Sequence, residues 1–220
     1  MIYFIASPIG NLGDITYRAI ETLKSVDYVI CEDTRRAKKL LSHYGISRKK
    51  TMSYNDYNKE KKTPGIIEDV KNKKEIAFLT DAGSPCISDP GYYLIREIIK
   101  RKLPFTSIPG PSSVINGLIL SGLPPDKFVF EGFLPKRGSK RTKFFKQLKN
   151  EERTTILFES PYRIKKLLRD ISGILPERTI VILREMTKFF EERIEGKAPD
   201  LLKGEIKEKG EFVIVVEGKK

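Results

Sequence analysis

The sequence predicts an α/β protein of two domains, with a mainly parallel sheet in the first and a mixed sheet in the second. Two observations carry this. Through the first half, short runs of β-branched and aromatic residues alternate with segments of helical period, the pattern of a parallel sheet covered by helices. In the second half strand-like runs outnumber helical ones, and Gly122-Leu123-Pro124-Pro125 breaks the chain before them. The boundary falls between 110 and 125, which divides the chain into residues 1–112 and 113–220.

In order, residues 2–6 read as a strand and 16–25 as a helix with Ala19, Ile20 and Leu23 on one face. Residues 28–31 form a second strand, followed by a helix over about 35–44 that Gly45 stops. A helix over about 64–71, a strand over 76–80, a helix over 91–100 and a strand over 105–108 follow. Residues 112–120 are again helical. Beyond the break, strands are expected at 128–133, 154–158, 179–183, around 189–194 and at 211–217. Helices are expected near 140–148, 162–171 and 199–203. Gly210 before the last strand suggests that the final two strands pair antiparallel, hence a mixed sheet.

Composition narrows the function. At 39% hydrophobic and 10% aromatic residues, the chain can bury a core and is not a disordered one. No apolar run approaches the roughly 20 residues that span a bilayer. The apolar opening stops at Ser7-Pro8 with no basic segment before it, so a cytoplasmic location is expected. The two cysteines, Cys31 and Cys86, and the single histidine, His43, have no zinc-ligand spacing, and no metal is expected. The cysteines read as small buried hydrophobes, and His43 as a packing or helix-end residue.

A net charge of +13 favours a polyanionic partner. The excess gathers in 136–149, where Lys136, Arg137, Lys140, Arg141, Lys143, Lys146 and Lys149 run without an acid until Glu151. The plain reading of such a run is a solvated face. Phe144 and Phe145 inside it suggest instead a surface that touches nucleic acid.

Four predicted strand ends are dense in Gly, Pro, Asp and Ser: residues 7–14, 32–36, 81–91 and 109–113. One such loop is an ordinary turn. Four at one edge of a parallel sheet are a ligand site, because ligands of open α/β sheets bind beyond the carboxyl ends of strands. Ser112-Ser113 suits a helix start that offers hydroxyls and amides to a carboxylate. Neither GxxxxGK[ST] nor GxGxxG is present, which disfavours a nucleotide triphosphate or dinucleotide ligand.

These loops also carry a resemblance. Pro8-Ile9-Gly10-Asn11-Leu12-Gly13-Asp14-Ile15-Thr16, Glu32-Asp33-Thr34-Arg35, Asp81-Ala82-Gly83-Ser84-Pro85, Ile87-Ser88-Asp89-Pro90-Gly91 and Pro109-Gly110-Pro111-Ser112 resemble motifs of ribosomal RNA small-subunit methyltransferase I. In the second half Phe130-Glu131-Gly132-Phe133-Leu134-Pro135, Glu159-Ser160-Pro161, Arg184-Glu185-Met186-Thr187-Lys188 and Gly210-Glu211-Phe212 match in order. The resemblance covers essentially the whole chain. It implies the tetrapyrrole-methylase fold, S-adenosylmethionine bound in the cleft between the domains, and 2′-O-methylation of a cytidine in 16S rRNA, commonly by a homodimer. Free RNA and the assembled small subunit are both open as substrates.

By motif position the resemblance assigns Pro8, Ile9, Gly83, Ser84, Pro85, Ile87, Ser112 and Ser113 to the methyl donor. Phe158 and Glu185 join them from the second domain, although Phe158 suits core packing equally well. Asp33, Asp89 and Asn11 are the catalytic candidates, with Asp81 a further carboxylate in reach of the role; an aspartate in such a loop also suits a turn or helix cap. Arg35 and Arg36 suit phosphate contact, with Lys136, Arg137, Lys140 and Arg141 as the second RNA-binding group. Where the family carries histidines, this chain has Asn55, Tyr57 and Tyr162, so proton removal is expected to use no imidazole. Two other readings remain: a relative acting on a tetrapyrrole or another non-rRNA acceptor, and an RNA-binding protein without catalysis.

Overall fold

The computed structural model describes residues 1–220. They form two compact units, Met1–Ser112 and Ser113–Lys220. In the first, β1 (Ile2–Ile5), β2 (Tyr28–Cys31), β3 (Lys50–Ser53), β4 (Ile76–Leu79) and β5 (Phe105–Ile108) make one sheet in the order β3-β2-β4-β1-β5. Every pairing in it is parallel. The three inner strands are almost wholly apolar because both of their faces are covered.

Phe4, Ile30 and Phe78 point to one face, where they meet α3 (Lys59–Lys71) and α4 (Tyr92–Lys100) through Ile66, Ile67, Leu94 and Ile98. Ile5, Val29 and Leu79 point to the other and meet α1 (Tyr17–Ser25) and α2 (Thr34–His43) through Ala19, Leu23, Ala37 and Leu41. Cys31 is buried in that second layer and Cys86 is partly buried; both are free thiols. Sequence reading missed β3, since the edge strand Lys-Thr-Met-Ser has neither an apolar run nor a fully buried face. It also began α3 too late. Pro64 lies inside the helix rather than at its start, and the chain turns helical at Lys59.

The second unit opens with α5 (Ser113–Ser121). Its sheet is built from β6 (Phe128–Phe133), β7 (Thr154–Glu159), β8 (Thr179–Arg184), β9 (Glu192–Lys197) and β10 (Phe212–Val216), in the order β6-β7-β10-β8-β9. The β6–β7 pair is parallel and the others antiparallel, so the sheet is mixed. The expected pairing of the last two strands is not made. The wholly apolar β10 takes the buried centre between β7 and β8, and the charged β9 takes the edge beyond β8. For the same reason β9 starts at Glu192, and Phe189 and Phe190 lie in the turn before it.

Helices α6 (Ser139–Leu148) and α7 (Ile164–Ile174) cover one face of this sheet, with α8 (Ala198–Leu201) packed against α7. Here the basic run is sorted into two kinds of residue. Phe144, Phe145 and Leu148 are core residues, so the two phenylalanines cannot stack on a base. Arg141 is buried as well. Its Nε and Nη2 donate to Asp170 Oδ2 at 2.8 and 2.6 Å, Nη1 donates to the Pro135 carbonyl at 3.0 Å, and the guanidinium lies over the Phe145 ring. Assigning Arg141 to RNA with its neighbours is therefore corrected: it ties α6 to α7.

Arg141→Ala should cost roughly 3 kcal/mol, the low end for a broken buried ion pair, because the Asp170 side chain keeps 32% of its exposure. Urea unfolding of the variant checks this.

Candidate active site

All five strands of the first sheet run the same way, so their carboxyl ends share one edge. Two of the loops there are stitched together. Ser7 N donates to the Gly83 carbonyl at 2.9 Å and Gly83 N returns to the Ser7 carbonyl at 3.0 Å, an antiparallel bridge between the segments after β1 and β4. Ser7 Oγ donates to the Thr80 carbonyl and Thr80 Oγ1 to that of Gly83, so both hydroxyls lock the same crossing. Ser7 and Thr80 were not singled out from the sequence. Their signal is a buried hydroxyl residue just past an apolar strand.

Gly83 sits at φ +73°, and a β-carbon there would lie 3.5 Å from Ile9 Cγ2 and 4.0 Å from the Pro111 carbonyl. The segments after β1, β4 and β5 thus converge on this glycine. Pro8 and Ile9 are buried, Ser84, Pro85, Ser112 and Ser113 partly buried, and Ile87 exposed. Ser113 opens α5 directly after Ser112. A 140 Å³ cavity lined by Ala6, Ser84, Pro85, Ser107 and Pro109 adjoins the crossing. The same loop holds Cys86 at φ +70° and Ser88 at φ +63°. Two non-glycine residues in the left-handed region, within three positions, store backbone strain of the kind concentrated at functional sites.

Four carboxylates face this edge, and the structure separates their roles. Asp33 is the N-cap of α2: Oδ1 accepts from Arg35 N at 2.8 Å, and both oxygens are bound by the Arg35 guanidinium. Those bonds hold its carboxyl at about 2, which makes it a poor proton acceptor. Asp81 accepts from Asp33 N at 3.3 Å and pairs with Arg36 at 3.3 Å. Glu32 is pushed up by burial and by the neighbouring Asp81 charge.

Asp89 differs from all three. No hydrogen bond or ion pair engages its carboxyl, and burial, followed by the charges of Glu32 and Asp81, raises it to about 7. It is flanked by the strained Ser88 and by Gly91 at φ +130°. A half-buried, uncommitted carboxyl near 7 is suited to accept a proton at neutral pH.

Asn11 caps the short 3₁₀ turn Leu12–Asp14, its Oδ1 accepting from Gly13 N at 2.9 Å. Arg35 and Arg36 are strongly exposed outside their ion pairs. His43 lies exposed in the last turn of α2, edge-on to Tyr44. His43→Gln should retain activity within about twofold, since it alters an exposed helix end; a single-turnover assay checks this.

In the second unit Phe158 is partly buried and packs edge-to-face on Phe130 and Phe133, with centroids at 4.9 and 5.5 Å. Glu185 holds φ +53°, donates its backbone N–H to the Glu211 carbonyl at 2.9 Å, and its Oε1 accepts from Lys188 Nζ and Glu211 N at 2.9 Å each. Burial raises its carboxyl, but those donors outweigh that and leave it below the usual range. A side chain at Gly210 would strike Glu185 at 2.6 Å, so the Gly210-Glu211-Phe212 motif makes room for this residue. Glu159 is buried, with Oε1 held by Ser160 N and Arg163. Lys136, Arg137 and Lys140 are exposed at and before the start of α6.

Comparison with known proteins agrees with this architecture. Residues 1–202 match the family of Tetrapyrrole (Corrin/Porphyrin) Methylases. The chain is 43% identical to the ribosomal RNA small subunit methyltransferase I of Thermotoga maritima, over 99% of this chain and 98% of that one. It is 42% identical to the protein of the same name from Haemophilus influenzae, over 100% of this chain and 79% of that one. Among solved structures, a diphthine synthase superposes with a TM-score of 0.76 at 16% identity, over 98% of this chain and 89% of that one. A uroporphyrin-III C-methyltransferase from Thermus thermophilus complexed with S-adenyl homocysteine superposes with a TM-score of 0.66 at 14% identity, over 98% and 96%. These last two similarities concern the fold alone.

Proposed function

Because the chain belongs to the tetrapyrrole (corrin/porphyrin) methylase family and, within it, to that of ribosomal RNA small-subunit methyltransferase I, we propose that it methylates small-subunit ribosomal RNA. The reaction is transfer from S-adenosylmethionine to the ribose 2′-hydroxyl of a cytidine. The observation that carries the chemistry is Asp89, an uncommitted carboxyl held near 7 in a strained loop.

The first unit's loops fit a donor of this kind. Gly83, Ile9 and Pro111 surround a space that a side chain would enter, and the carboxylates Glu32, Asp81 and Asp89 give the edge a negative potential suited to a cationic ligand. Gly83, Ser84 and Pro85, with Pro8, Ile9, Ser112 and Ser113, would hold it. When bound, S-adenosylmethionine supplies an electrophilic sulfonium methyl group. The protein's own part is to orient the ribose oxygen and to take its proton. Asp89 takes that proton on a carboxylate oxygen, while Asp33 stays ionised and fixes the start of α2 beside Arg35. Arg35 and Arg36, exposed outside their ion pairs, meet backbone phosphates, as do Lys136, Arg137 and Lys140. An RNA substrate of this kind places the enzyme in the cytoplasm, and no helix is long and apolar enough to cross a membrane. The exposed Phe189 and Phe190 support the homodimer that the family resemblance implies.

Methyl-labelled donor offered with small-subunit RNA and a tetrapyrrole acceptor together tests the reading. Label should enter the RNA. Label confined to the tetrapyrrole supports the alternative acceptor, and RNA binding without donor binding supports a protein that has lost catalysis.

A further inference from the structure

The helical face of the second unit carries a groove of about 680 Å³ between α6 and α7. Its walls include the cations Arg137, Lys146, Lys149, Lys166 and Arg169, and the buried Arg141 lies at its floor. The only carboxylate lining it is Asp170, already paired with Arg141. None of the five wall cations has an ion-pair partner, and among their charged groups only Lys166 Nζ makes a hydrogen bond, to the Lys136 carbonyl. Elsewhere on the same unit Arg153, Lys165, Lys188, Arg193, Lys197 and Lys203 pair with carboxylates, and the unpaired Lys127, Lys207, Lys209 and Lys219 do not line this groove. Like charges gathered without counter-charges repel one another, and a polyanion relieves that repulsion.

Two features say what sort of polyanion. Lys146 and Lys149 lie one turn apart on one side of the groove, and Lys166 and Arg169 one turn apart on the other, so the charges form two facing rows. Gly138, where α6 begins without a side-chain cap or an acidic first turn, adds the positive end of a helix at the groove's mouth. No exposed aromatic lines the groove, since Phe145 is buried beneath Arg141. The site can grip phosphates and cannot stack bases.

We propose that this groove binds the sugar–phosphate backbone of a helical segment of the RNA substrate and reads shape rather than sequence. The proposal rests on the reading of the chain as an RNA methyltransferase and adds a docking surface on the second unit. The groove is an electrostatic unit distinct from the linear run in 136–149. It recruits Lys166 and Arg169 from α7 and leaves out Lys140 and Lys143.

The test compares the triple variant K146A/K149A/R169A with the charge-matched control K207A/K209A/K219A, taken from elsewhere on the unit. Donor binding by calorimetry verifies that both are folded. Binding to small-subunit RNA is measured from low to moderate salt, with a base-scrambled RNA of the same helical content as a second ligand. Each lost phosphate contact should flatten the log–log salt slope by about 0.7–0.9, so the groove variant should lose about 2–3 in slope and the control almost nothing. The scrambled RNA should respond equally. An unchanged slope in a folded groove variant overturns the proposal, and so does an equal loss in the control. Loss restricted to the native sequence overturns its shape-reading part. If the wild type binds RNA through the groove but transfers no methyl group to it, the enzymatic reading fails while the groove stands.

Discussion

Replacing Asp89 with asparagine slows single-turnover methyl transfer by about 10²–10⁴-fold, the range for removal of an acid–base group, with donor and RNA saturating. Asparagine keeps the shape of the side chain and cannot take a proton, so donor binding should persist. The wild-type rate should rise about tenfold per pH unit below 7 and level off above it, because the reactive form is the carboxylate and its carboxyl sits at about 7. The variant should show no such rise. A companion effect on stability has a definite sign. Folding raises this carboxyl above its unfolded value of 3.8, so the folded state holds the proton more tightly. That contribution to stability is full below about 4 and is lost as pH climbs toward 7. Asp89→Asn should therefore be more stable than wild type at pH 8, and the advantage should shrink on acidification. Asp33→Asn should instead keep the N-cap bond of α2, since an amide oxygen also accepts from Arg35 N, and lose only the ion pair with the Arg35 guanidinium, a small cost in stability. A large rate loss in Asp33→Asn with little loss in Asp89→Asn would reverse the two roles.

Gly83→Val should weaken donor binding tenfold or more. The backbone there is left-handed at φ +73°, which a β-branched residue adopts only under strain, and the new side chain would enter the space beside Ile9 and Pro111. Strain in general is separated from position by Gly45→Val. Gly45 has the same φ of +73° with nothing within 4 Å of a β-carbon, so this control should lose stability and keep its donor affinity. Calorimetry on both folded variants decides. Equal donor affinity in the two would remove Gly83 from the binding loop.

The inner strands were legible because β1, β2 and β4 are apolar on both faces, which leaves a run that survives without neighbours. The edge strand β3 was not legible. Its register is imposed by β2, with Thr51 beside Val29 and Met52 beside Ile30, and not by its own pattern. The place of β10 between β7 and β8 was hidden for the converse reason: five apolar residues announce a buried strand but not its partners.

The Gly- and Pro-rich strand ends marked in the sequence the segments that converge on Gly83, because composition reports backbone demands directly. Composition could not rank Asp33 against Asp89. The ranking depends on which carboxylate a neighbouring guanidinium occupies, and Arg35 follows Asp33 within one helical turn while no cation engages Asp89. The basic run misled for a similar reason. Its charges were visible, but the burial of Arg141, Phe144 and Phe145 follows from helical phase against α7 and the sheet.

Whether this chain methylates a ribose of small-subunit ribosomal RNA is decided by mass-spectrometric mapping of methylation in that RNA from cells with and without this gene. One ribose methyl group, on the 2′-oxygen of a cytidine, should disappear with the gene. The wild-type gene should restore the mark and an Asp89→Asn copy should not. A ribose methylation pattern that is the same with and without the gene, or a lost methyl group that proves to sit on a base, would contradict this reading.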